Sequence, residues 1–285
     1  MSKGYITIAQ NSEDIDYLEM SYALALSLKA SQENSNLCVC VDEETKKLIT
    51  DKHRDVFDAI VDIPWNDDAK GNKWKINNKW KYPHMTPYDE TIILDSDMIF
   101  TDSVDHWWDY LAKKDVWCCT NVKTFRNEDV TSDYYRKKFT QLNLPNIYSN
   151  FTYFKKSELT FEFFKMVELI MVHWNVYFDK FLSGVGQNWM SADVAYALAI
   201  QLLDIEAETC DYDIKDVPTF VHMKSMVQNI PENQIESNWT KSITSELGDD
   251  LQVKIGNFTQ TLPVHYVEKN WMDNSKIKQL EDAVL

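Results

Sequence analysis

Glycine is scarce in this sequence, with only six among 285 residues, and none lies in a phosphate-binding loop. Neither the G-x-G-x-x-G pattern of dinucleotide-binding domains nor the Walker A pattern of nucleoside triphosphatases occurs. These two glycine-based nucleotide sites are therefore excluded. A phosphate-bearing ligand needs another kind of site here.

Long apolar runs are also lacking. No stretch approaches the roughly 20 apolar residues that cross a bilayer, and the N-terminal MSKGYITIAQ has no apolar segment of the secretory type. We therefore expect a cytoplasmic protein without a membrane partner. The five cysteines lie mostly in apolar stretches without zinc-finger spacing, which predicts reduced, buried thiols.

Positive charge is in deficit: 29 Lys and Arg stand against 45 Asp and Glu, and the formal net charge is −16. Such a surface repels phosphate backbones and disfavours DNA or RNA as a general partner. One segment is different. Residues 70–84, KGNKWKINNKWKYPH, contain five lysines and no acid, with tryptophan and tyrosine between them. This segment indicates an anionic ligand.

Apolar strands alternate with amphipathic helices from the start of the chain. GYITIAQ reads as a strand, Tyr17–Lys29 as a helix and LCVCVDE as a second strand. The alternation continues, which predicts an α/β fold with a mostly parallel sheet flanked by helices. We expect one domain over residues 1–272 and a C-terminal helix over 273–285 that begins at an Asp/Asn cap.

Further elements are expected from the same patterns. They are a helix at Glu43–Arg54, a helical Lys/Trp-rich segment, strands at AIVDI, TIILDSD, DVWCCTNV and YSNFTYF, helices from Leu159 to about Phe181 and over SADVAYALAIQLL, and strands near PTFVHM and LPVHYV.

Two aspartates follow the most apolar strand. Asp95 and Asp97 come directly after Ile92–Leu94, and residues i and i+2 of an extended segment project to the same side. Both carboxylates can face one Mn²⁺ or Mg²⁺ at the carboxyl edge of the sheet, where it would bridge diphosphate oxygens. Two surface aspartates in a turn have the same pattern. A phosphate-transfer enzyme also remains possible, although such enzymes usually place the pair after the first strand.

The segment MTPYDETIILDSDMIF resembles the acidic motif of glycogenin-like nucleotide-diphospho-sugar transferases. In that family a proline–aromatic pair and a short turn precede the apolar strand, and Pro87, Tyr88, Asp89 and Glu90 follow this design. The resemblance implies a single-domain, Rossmann-like GT-A fold. It also implies that Ser96 contacts the nucleotide sugar beside Asp95.

The resemblance extends in both directions from the motif. Lys79 matches the family's nucleotide-binding lysine, and Thr7, Ile8, Ala9 and Gln10 match the lining of the base and ribose pocket. A solvated helix face is the alternative for the other lysines of residues 70–84.

Downstream of the motif, the resemblance assigns residues near the transferred sugar. NIYSNFTYF places Ser149 and Asn150 beside the donor sugar, and Asp193 matches an acid that faces the sugar or the acceptor. Asn150 and Asp193 are therefore the candidate catalytic residues. A carboxylate at a helix N-terminus also stabilises the helix dipole, which is the structural alternative for Asp193.

The closing segment LPVHYVEKNWM resembles the family's last motif, in which a histidine is the third metal ligand and a lysine holds the diphosphate. His265 and Lys269 take these roles, although the usual glycine is missing and the lysine follows the histidine sooner. FVHMKSMVQ is a competitor, with His222 and Lys224. A lone histidine in a strand is more often packed in the core.

These residues predict a Mn²⁺- or Mg²⁺-dependent glycosyltransferase. It moves a hexose or pentose from a nucleotide-diphosphate sugar, expected to be a UDP-sugar, to an acceptor hydroxyl, with retention expected. The acceptor stays open between a glycan, a small molecule and a modified nucleobase such as hydroxymethylated DNA, which the net charge disfavours. A non-catalytic nucleotide-sugar-binding protein is the alternative from another class.

Overall fold

The computed structural model describes residues 1–72, 74–130, 136–184, 189–212, 217–223, 244–266 and 268–285. Within these ranges, no helix combines the length and the apolar character that crossing a membrane requires. Lys224, named above with His222, lies outside the described residues.

The strands in the described part of the chain are β1 Lys3–Ala9, β2 Leu37–Val41, β3 Ala59–Asp62, β4 Glu90–Leu94, β5 Met98–Ile99, β6 Val116–Cys119, β7 Tyr148–Lys155, β8 Val221–His222, β9 Ser245–Leu247, β10 Val253–Ile255, β11 Phe258–Thr259 and β12 Val264–His265. The helices there are α1 Tyr17–Ser31, α2 Glu43–Lys46, α3 Asp51–Val56, α4 Tyr82–Met85, α5 Trp107–Leu111, α6 Lys137–Gln141, α7 Glu158–Val172, α8 Trp174–Tyr177, α9 Ala192–Leu203, α10 Glu206–Thr209 and α11 Asn274–Val284. A 3₁₀ turn covers Lys79–Lys81, and a π-helical turn covers Phe178–Leu182.

A six-stranded sheet forms the centre of the described structure, in the order β3-β2-β1-β4-β7-β6. The first four strands are parallel, whereas β7 is antiparallel to both of its neighbours. The predicted single-domain α/β fold with a mostly parallel sheet is confirmed. Because β1 and β4 are adjacent and parallel, the residues that follow them meet at one edge of the sheet, where open α/β sheets bind ligands.

Successive residues of the central strands enter two different cores. Tyr5 and Ile92 pack with α1 and α11 on one face, whereas Ile6 and Ile93 pack with α7 and α9 on the other. Burial of each such side chain contributes roughly 1.5–3 kcal/mol. These strands lack a polar alternation because both faces are covered.

Two predicted helices are interrupted. The expected Glu43–Arg54 helix is split into α2 and α3, because Thr50 adopts extended backbone angles and its N–H donates to His53 Nδ1 at 3.1 Å. The expected helix from Leu159 to Phe181 ends at Val172, and His173 leaves helical geometry. The β-branched and aromatic residues that follow have low helix propensity, so a short helix and a π-helical turn continue the chain.

The Lys/Trp-rich segment is mostly not helical, contrary to the sequence-based expectation. Its described part reaches helical geometry only at the 3₁₀ turn and at α4, where Pro83 occupies the first turn. Before them, the buried amide of Asn78 donates to Gln10 Oε1 at 2.8 Å and to Asp67 Oδ1 at 2.7 Å. These side-chain bonds hold the backbone in an irregular path that places Lys79 beside the sheet edge.

The C-terminal part of the chain returns to the acidic motif. Strand β12 pairs antiparallel with β5, with His265 opposite Met98, and parallel with β8, with His265 opposite His222. The N–H of Tyr266 donates to the carbonyl of Asp97 at 3.0 Å. Helix α11 starts after the predicted cap, since the Asp273 carboxylate accepts from the backbone of the first turn. This path brings the closing segment LPVHYVEKNWM next to the acidic motif at Asp95 and Asp97.

Candidate active site

A cleft of about 680 Å³ lies at the carboxyl ends of β1 and β4, with the N-terminus of α9 on its opposite wall. It collects most of the residues that the sequence singled out: Thr7, Ile8, Lys79, Asp95, Ser96, Asp97, Ser149, Asn150, Asp193, His222, His265 and Lys269. Ala9 and Gln10 do not line it. Ala9 is fully buried, and the Gln10 amide donates to Asp42 Oδ2 at 3.0 Å and accepts from Asn78.

Asp97 is the centre of the polar network in the cleft. It is buried, and its Oδ2 lies 3.0 Å from His265 Nε2 and accepts a hydrogen bond from Lys269 Nζ. Burial raises the pKa of the Asp97 carboxyl, but its interactions with His265 and Lys269 outweigh burial and bring the pKa well below its ordinary value. Asp97 is therefore an anion at neutral pH, the form in which a carboxylate binds a metal ion.

Asp95 has its own cationic partner. Lys79 Nζ donates to Asp95 Oδ1 at 2.5 Å, and this lysine is buried in the cleft lining. The carboxylates of Asp95 and Asp97 also act on Tyr17 at the rim. Burial first, and then these two charges, raise the pKa of the Tyr17 hydroxyl to about 12, so it remains a hydrogen-bond donor.

Asp95, Asp97 and His265 form a group that fits a divalent cation. One candidate ligand atom from each lies within 4.8 Å of the others. The Nε2 of His265 lies 3.0 Å from Asp97 Oδ2, so this ring nitrogen is the one placed to share a cation with Asp97. Two carboxylates suit Mn²⁺ and Mg²⁺, and an imidazole also suits transition metals. The residues present therefore fit the ion that the sequence predicts.

A comparison with protein-family models finds no match to this sequence, and a comparison with curated proteins finds none either. Solved structures do match. The galactosyltransferase LgtC, solved in complex with donor and acceptor sugar analogues, aligns at a TM-score of 0.52 and 12% identity over 99% of this chain and 95% of its own. The glycosyltransferase GlyE of Streptococcus pneumoniae TIGR4 aligns at a TM-score of 0.50 and 11% identity, over 100% of this chain and 61% of its own length.

The chain has a GT-A fold. At 11 to 12% sequence identity, this likeness establishes the fold but says nothing about the substrate. Within this GT-A fold, the group that could hold a metal ion lies at the carboxyl edge of the parallel strands.

Asp193 lies at the start of α9 and is held by three donors. Its Oδ1 accepts from the N–H of Ser149 at 2.9 Å and from the Ser149 hydroxyl at 2.6 Å, and its Oδ2 accepts from Arg136 Nη1 at 2.6 Å. Burial alone would raise the pKa of Asp193, but the Arg136 charge and the Ser149 hydrogen bonds lower it to about 2. An ionised carboxylate in this arrangement orients Ser149 at the cleft wall.

Arg136 is the main residue that the sequence reading missed. Its guanidinium is buried between the rings of Phe139 and Tyr148, at 3.8 and 4.1 Å from their centroids, and it also donates to Asn146 Oδ1 and the Ile147 carbonyl. It lies in a polar stretch without apolar periodicity, so no local pattern marks it. Its buried pair with Asp193 becomes visible only when β7 and α9 pack together.

The remaining cleft residues provide a mixed lining. Asn150 follows Ser149 on β7, and its amide contacts Met98 Sδ at 3.9 Å. The Thr7 hydroxyl is buried at the end of β1 and has no hydrogen-bond partner among the described residues. The exposed indoles of Trp74 and Trp189 lie on the rim. A ligand at the rim can therefore stack on tryptophan.

The two histidines of the cleft lead to a prediction. His265→Ala should weaken Mn²⁺ binding by at least about tenfold, because it removes one of three ligands, whereas His222→Ala should change it little. The ring of His222 lies 5.2 Å from that of His265, and His222 is not in the ligand group. Free Mn²⁺ measured by electron paramagnetic resonance gives both affinities. Stronger loss in His222→Ala would make His222 the third ligand.

Proposed function

We propose that this chain is a metal-dependent glycosyltransferase that transfers a hexose or pentose from a nucleotide-diphosphate sugar to an acceptor hydroxyl. One observation carries the proposal: Asp95, Asp97 and His265 converge in one cleft of a GT-A fold, and a lysine contacts each of the two carboxylates. The two carboxylates suit the metal ion, and the two adjacent lysines suit the diphosphate. Together they fit a metal–diphosphate group better than they fit the metal ion or the diphosphate alone.

Different residues of the cleft would bind the metal, the diphosphate and the sugar of the donor. Asp95, Asp97 and His265 would hold Mn²⁺ or Mg²⁺, which supplies charge neutralisation on the departing nucleotide diphosphate. Lys79 and Lys269 are the cations nearest to the acidic pair, and diphosphate oxygens can compete with the carboxylates for their ammonium groups. Asn150 and Ser149 line the wall where the donor sugar would lie.

Two finer features of the proposal concern the donor and the stereochemistry. Thr7 and Ile8 line the cleft near the carboxyl end of β1, where the nucleotide of the donor would lie, and we take the donor to be a UDP-sugar. The acids among the described cleft-lining residues are Asp95, Asp97 and Asp193, and each forms an ion pair. None of these is placed as an unpaired general base, which favours retention over inversion.

The proposed function is tested by donor hydrolysis and by donor binding. UDP-glucose, UDP-galactose, UDP-xylose and GDP-mannose are each incubated with the protein, with Mn²⁺ or with EDTA. One donor should be hydrolysed only with the metal, and at about 100 times its dissociation constant it should stabilise the fold by about 2.7 kcal/mol. Metal-dependent binding without hydrolysis or transfer would identify a non-catalytic binder. The absence of metal-dependent binding for all donors would contradict the proposal.

Hydroxymethylated DNA is the second candidate acceptor, because Trp74 and Lys75 lie at the cleft and lysines recur through residues 70–84. Lys75 Nζ already donates to the Ala69 carbonyl at 3.2 Å, which reduces its availability for phosphate. Lys73 lies outside the described residues. The net charge of −16 also disfavours this acceptor, so we place a carbohydrate or small-molecule acceptor first.

The lysines separate the two acceptors experimentally. Lys79→Ala should weaken donor binding by about tenfold or more, because it removes a charge-assisted hydrogen bond to the donor. The double variant Lys70→Gln/Lys75→Gln should leave donor binding unchanged, since neither residue pairs with the acidic motif. Calorimetric titration of the donor measures both.

The same double variant tests DNA binding, measured as a function of salt concentration. A phosphate-steering role gives a steep dependence of affinity on salt, and each lost contact lowers the log–log slope by about 0.7 to 0.9. We expect a shallow slope that the double variant does not change. A steep slope that becomes shallower in the double variant would make hydroxymethylated DNA the first candidate acceptor.

A further inference from the structure

A second groove, of about 740 Å³, lies between the end of β3, the α4 region and α7. None of its lining residues lines the active-site cleft. The 3₁₀ turn separates the two, because Lys79 points into the cleft while its neighbour Trp80 lines the groove. The proposed transfer reaction does not use this groove.

Aromatic rings form the floor of the groove. Trp65 and Trp80 lie parallel, with centroids 5.6 Å apart and planes 8° apart, and Trp80 is almost covered whereas Trp65 is 66% exposed. His84 stands edge-on to Trp65 at 5.0 Å, and Phe161 contacts His84 at 5.7 Å. Trp65 therefore presents a broad indole surface to solvent, fixed from below by Trp80.

The backbone of Trp65 is strained in a way that maintains this exposure. Its φ is 60°, in the left-handed region that bulky side chains rarely adopt. Strain of this kind costs on the order of 1–3 kcal/mol and persists where the surrounding structure enforces it. Packing on Trp80 covers one face of the Trp65 indole, but it accounts neither for the strain nor for the exposure of the other face. A ligand that uses the indole face explains both features.

The rim of the groove is polar. Glu158 and Glu162 lie one turn apart on the exposed side of α7, and the Lys165 ammonium pairs with Glu168 at 2.6 Å on the same helix. Carboxylates accept hydrogen bonds and the ammonium donates them, so the rim can bond to a ligand that carries many hydroxyl groups.

We propose that this groove is a non-catalytic saccharide-binding site. The C–H-bearing face of a pyranose is apolar and slightly positive, so it packs on the negative face of the exposed Trp65 indole. The hydroxyls at the edge of the ring then reach Glu158, Glu162 and Lys165. Binding here needs neither the metal nor the nucleotide, so the proposal is independent of the transfer reaction.

An organic cation is the other ligand that aromatic groups attract, and the groove suits it less. A quaternary ammonium binds best between aromatic faces that enclose it. Here the two indoles cover each other, so the groove offers a single outer indole face and no pair of faces that encloses a cation. A flat outer face with a rim of both charges fits a neutral, hydroxyl-rich ring.

The test is binding of maltohexaose, cellohexaose and xylohexaose to the full chain in EDTA without nucleotide, by saturation-transfer difference NMR. At least one should bind, and Trp65→Gly should weaken it by about tenfold or more. Glycine adopts a positive φ without a steric cost, so this variant should fold, which circular dichroism checks. Trp65→Phe should retain part of the affinity, and Phe258→Ala, at another exposed aromatic residue, should retain all of it.

Several outcomes overturn the proposal. It is wrong if none of the three saccharides binds, or if Trp65→Gly binds them as well as the unmodified chain, which would place them at a site other than this groove. It is also wrong if tetramethylammonium binds in a Trp65-dependent manner while the saccharides do not.

Discussion

Asp97→Asn should lower metal-dependent donor turnover about a thousandfold, because a lost metal ligand removes several kcal/mol of charge stabilisation in the transition state. The amide has the same shape as the carboxylate but cannot supply an anionic ligand. In the structure this carboxylate is buried and contacts both His265 and Lys269. Steady-state kinetics with Mn²⁺ gives the rate, and electron paramagnetic resonance gives the metal affinity.

The control for this variant is Asp102→Asn, a few residues further along and exposed to solvent. It should have unchanged kinetics. Because Asp97 also neutralises Lys269, thermal unfolding must show that Asp97→Asn is folded at the assay temperature. Lys269 lies over the Tyr17 ring at 6.0 Å and is partly solvated, so the loss of its partner does not strand a fully buried charge. Near-normal turnover with unchanged Mn²⁺ affinity would contradict the metal assignment.

Arg136→Met should lower the free energy of unfolding by about 2–3 kcal/mol, less than the cost of breaking a fully buried ion pair on one side, because the Asp193 side chain is 26% exposed. Methionine keeps much of the packing between Phe139 and Tyr148, but Asp193 loses its charged partner. Urea unfolding at neutral pH measures the change. Arg126→Met is the matched control, since Arg126 is exposed and its guanidinium lies over the Phe125 ring.

The pKa of Asp193 sets the pH window for this effect. Its folded pKa, about 2, lies below the ordinary value of 3.8, so its ion pair stabilises the fold above the ordinary value and loses this contribution as the pH falls toward 2. The difference between the parent and Arg136→Met should therefore shrink across that range. The double variant Arg136→Met/Asp193→Asn should recover part of the stability. A loss that is the same at every pH would point to packing instead of charge.

The acidic motif could be predicted from the sequence because its information is local. The apolar strand ends at Leu94 and so determines the sheet edge that Asp95 and Asp97 follow, although Ser96 and Asp97 lie in a turn and not in the extended segment that the sequence predicted. His265 and Lys269 could be assigned only by resemblance. Lys269 is 172 residues from Asp97, and the contact depends on the pairing of β12 with β5, which no local pattern specifies.

Other features could not be predicted because they depend on tertiary contacts. The antiparallel direction of β7 follows from how the chain returns between β4 and β6 and not from the composition of the strand. The Lys/Trp-rich segment has helix-forming lysines, but the buried amide of Asn78 holds it in an irregular path. Arg136 has no distinguishing neighbours in the sequence.

Strand β12 is short, with pairs to β5 and β8, yet it carries His265 to Asp97 and precedes Lys269. The chain between Asp97 and His265 forms a long loop, and closing it has an entropy cost that the short pairing of β12 must offset. A ligand that contacts both Asp97 and His265 therefore also stabilises the pairing of β12 with β5. By reciprocity, a substitution that loosens the pairing of Val264 with Ile99 lowers ligand affinity without touching the ligand. The affinity of the cleft and the order of the chain's last segment are thus one coupled equilibrium.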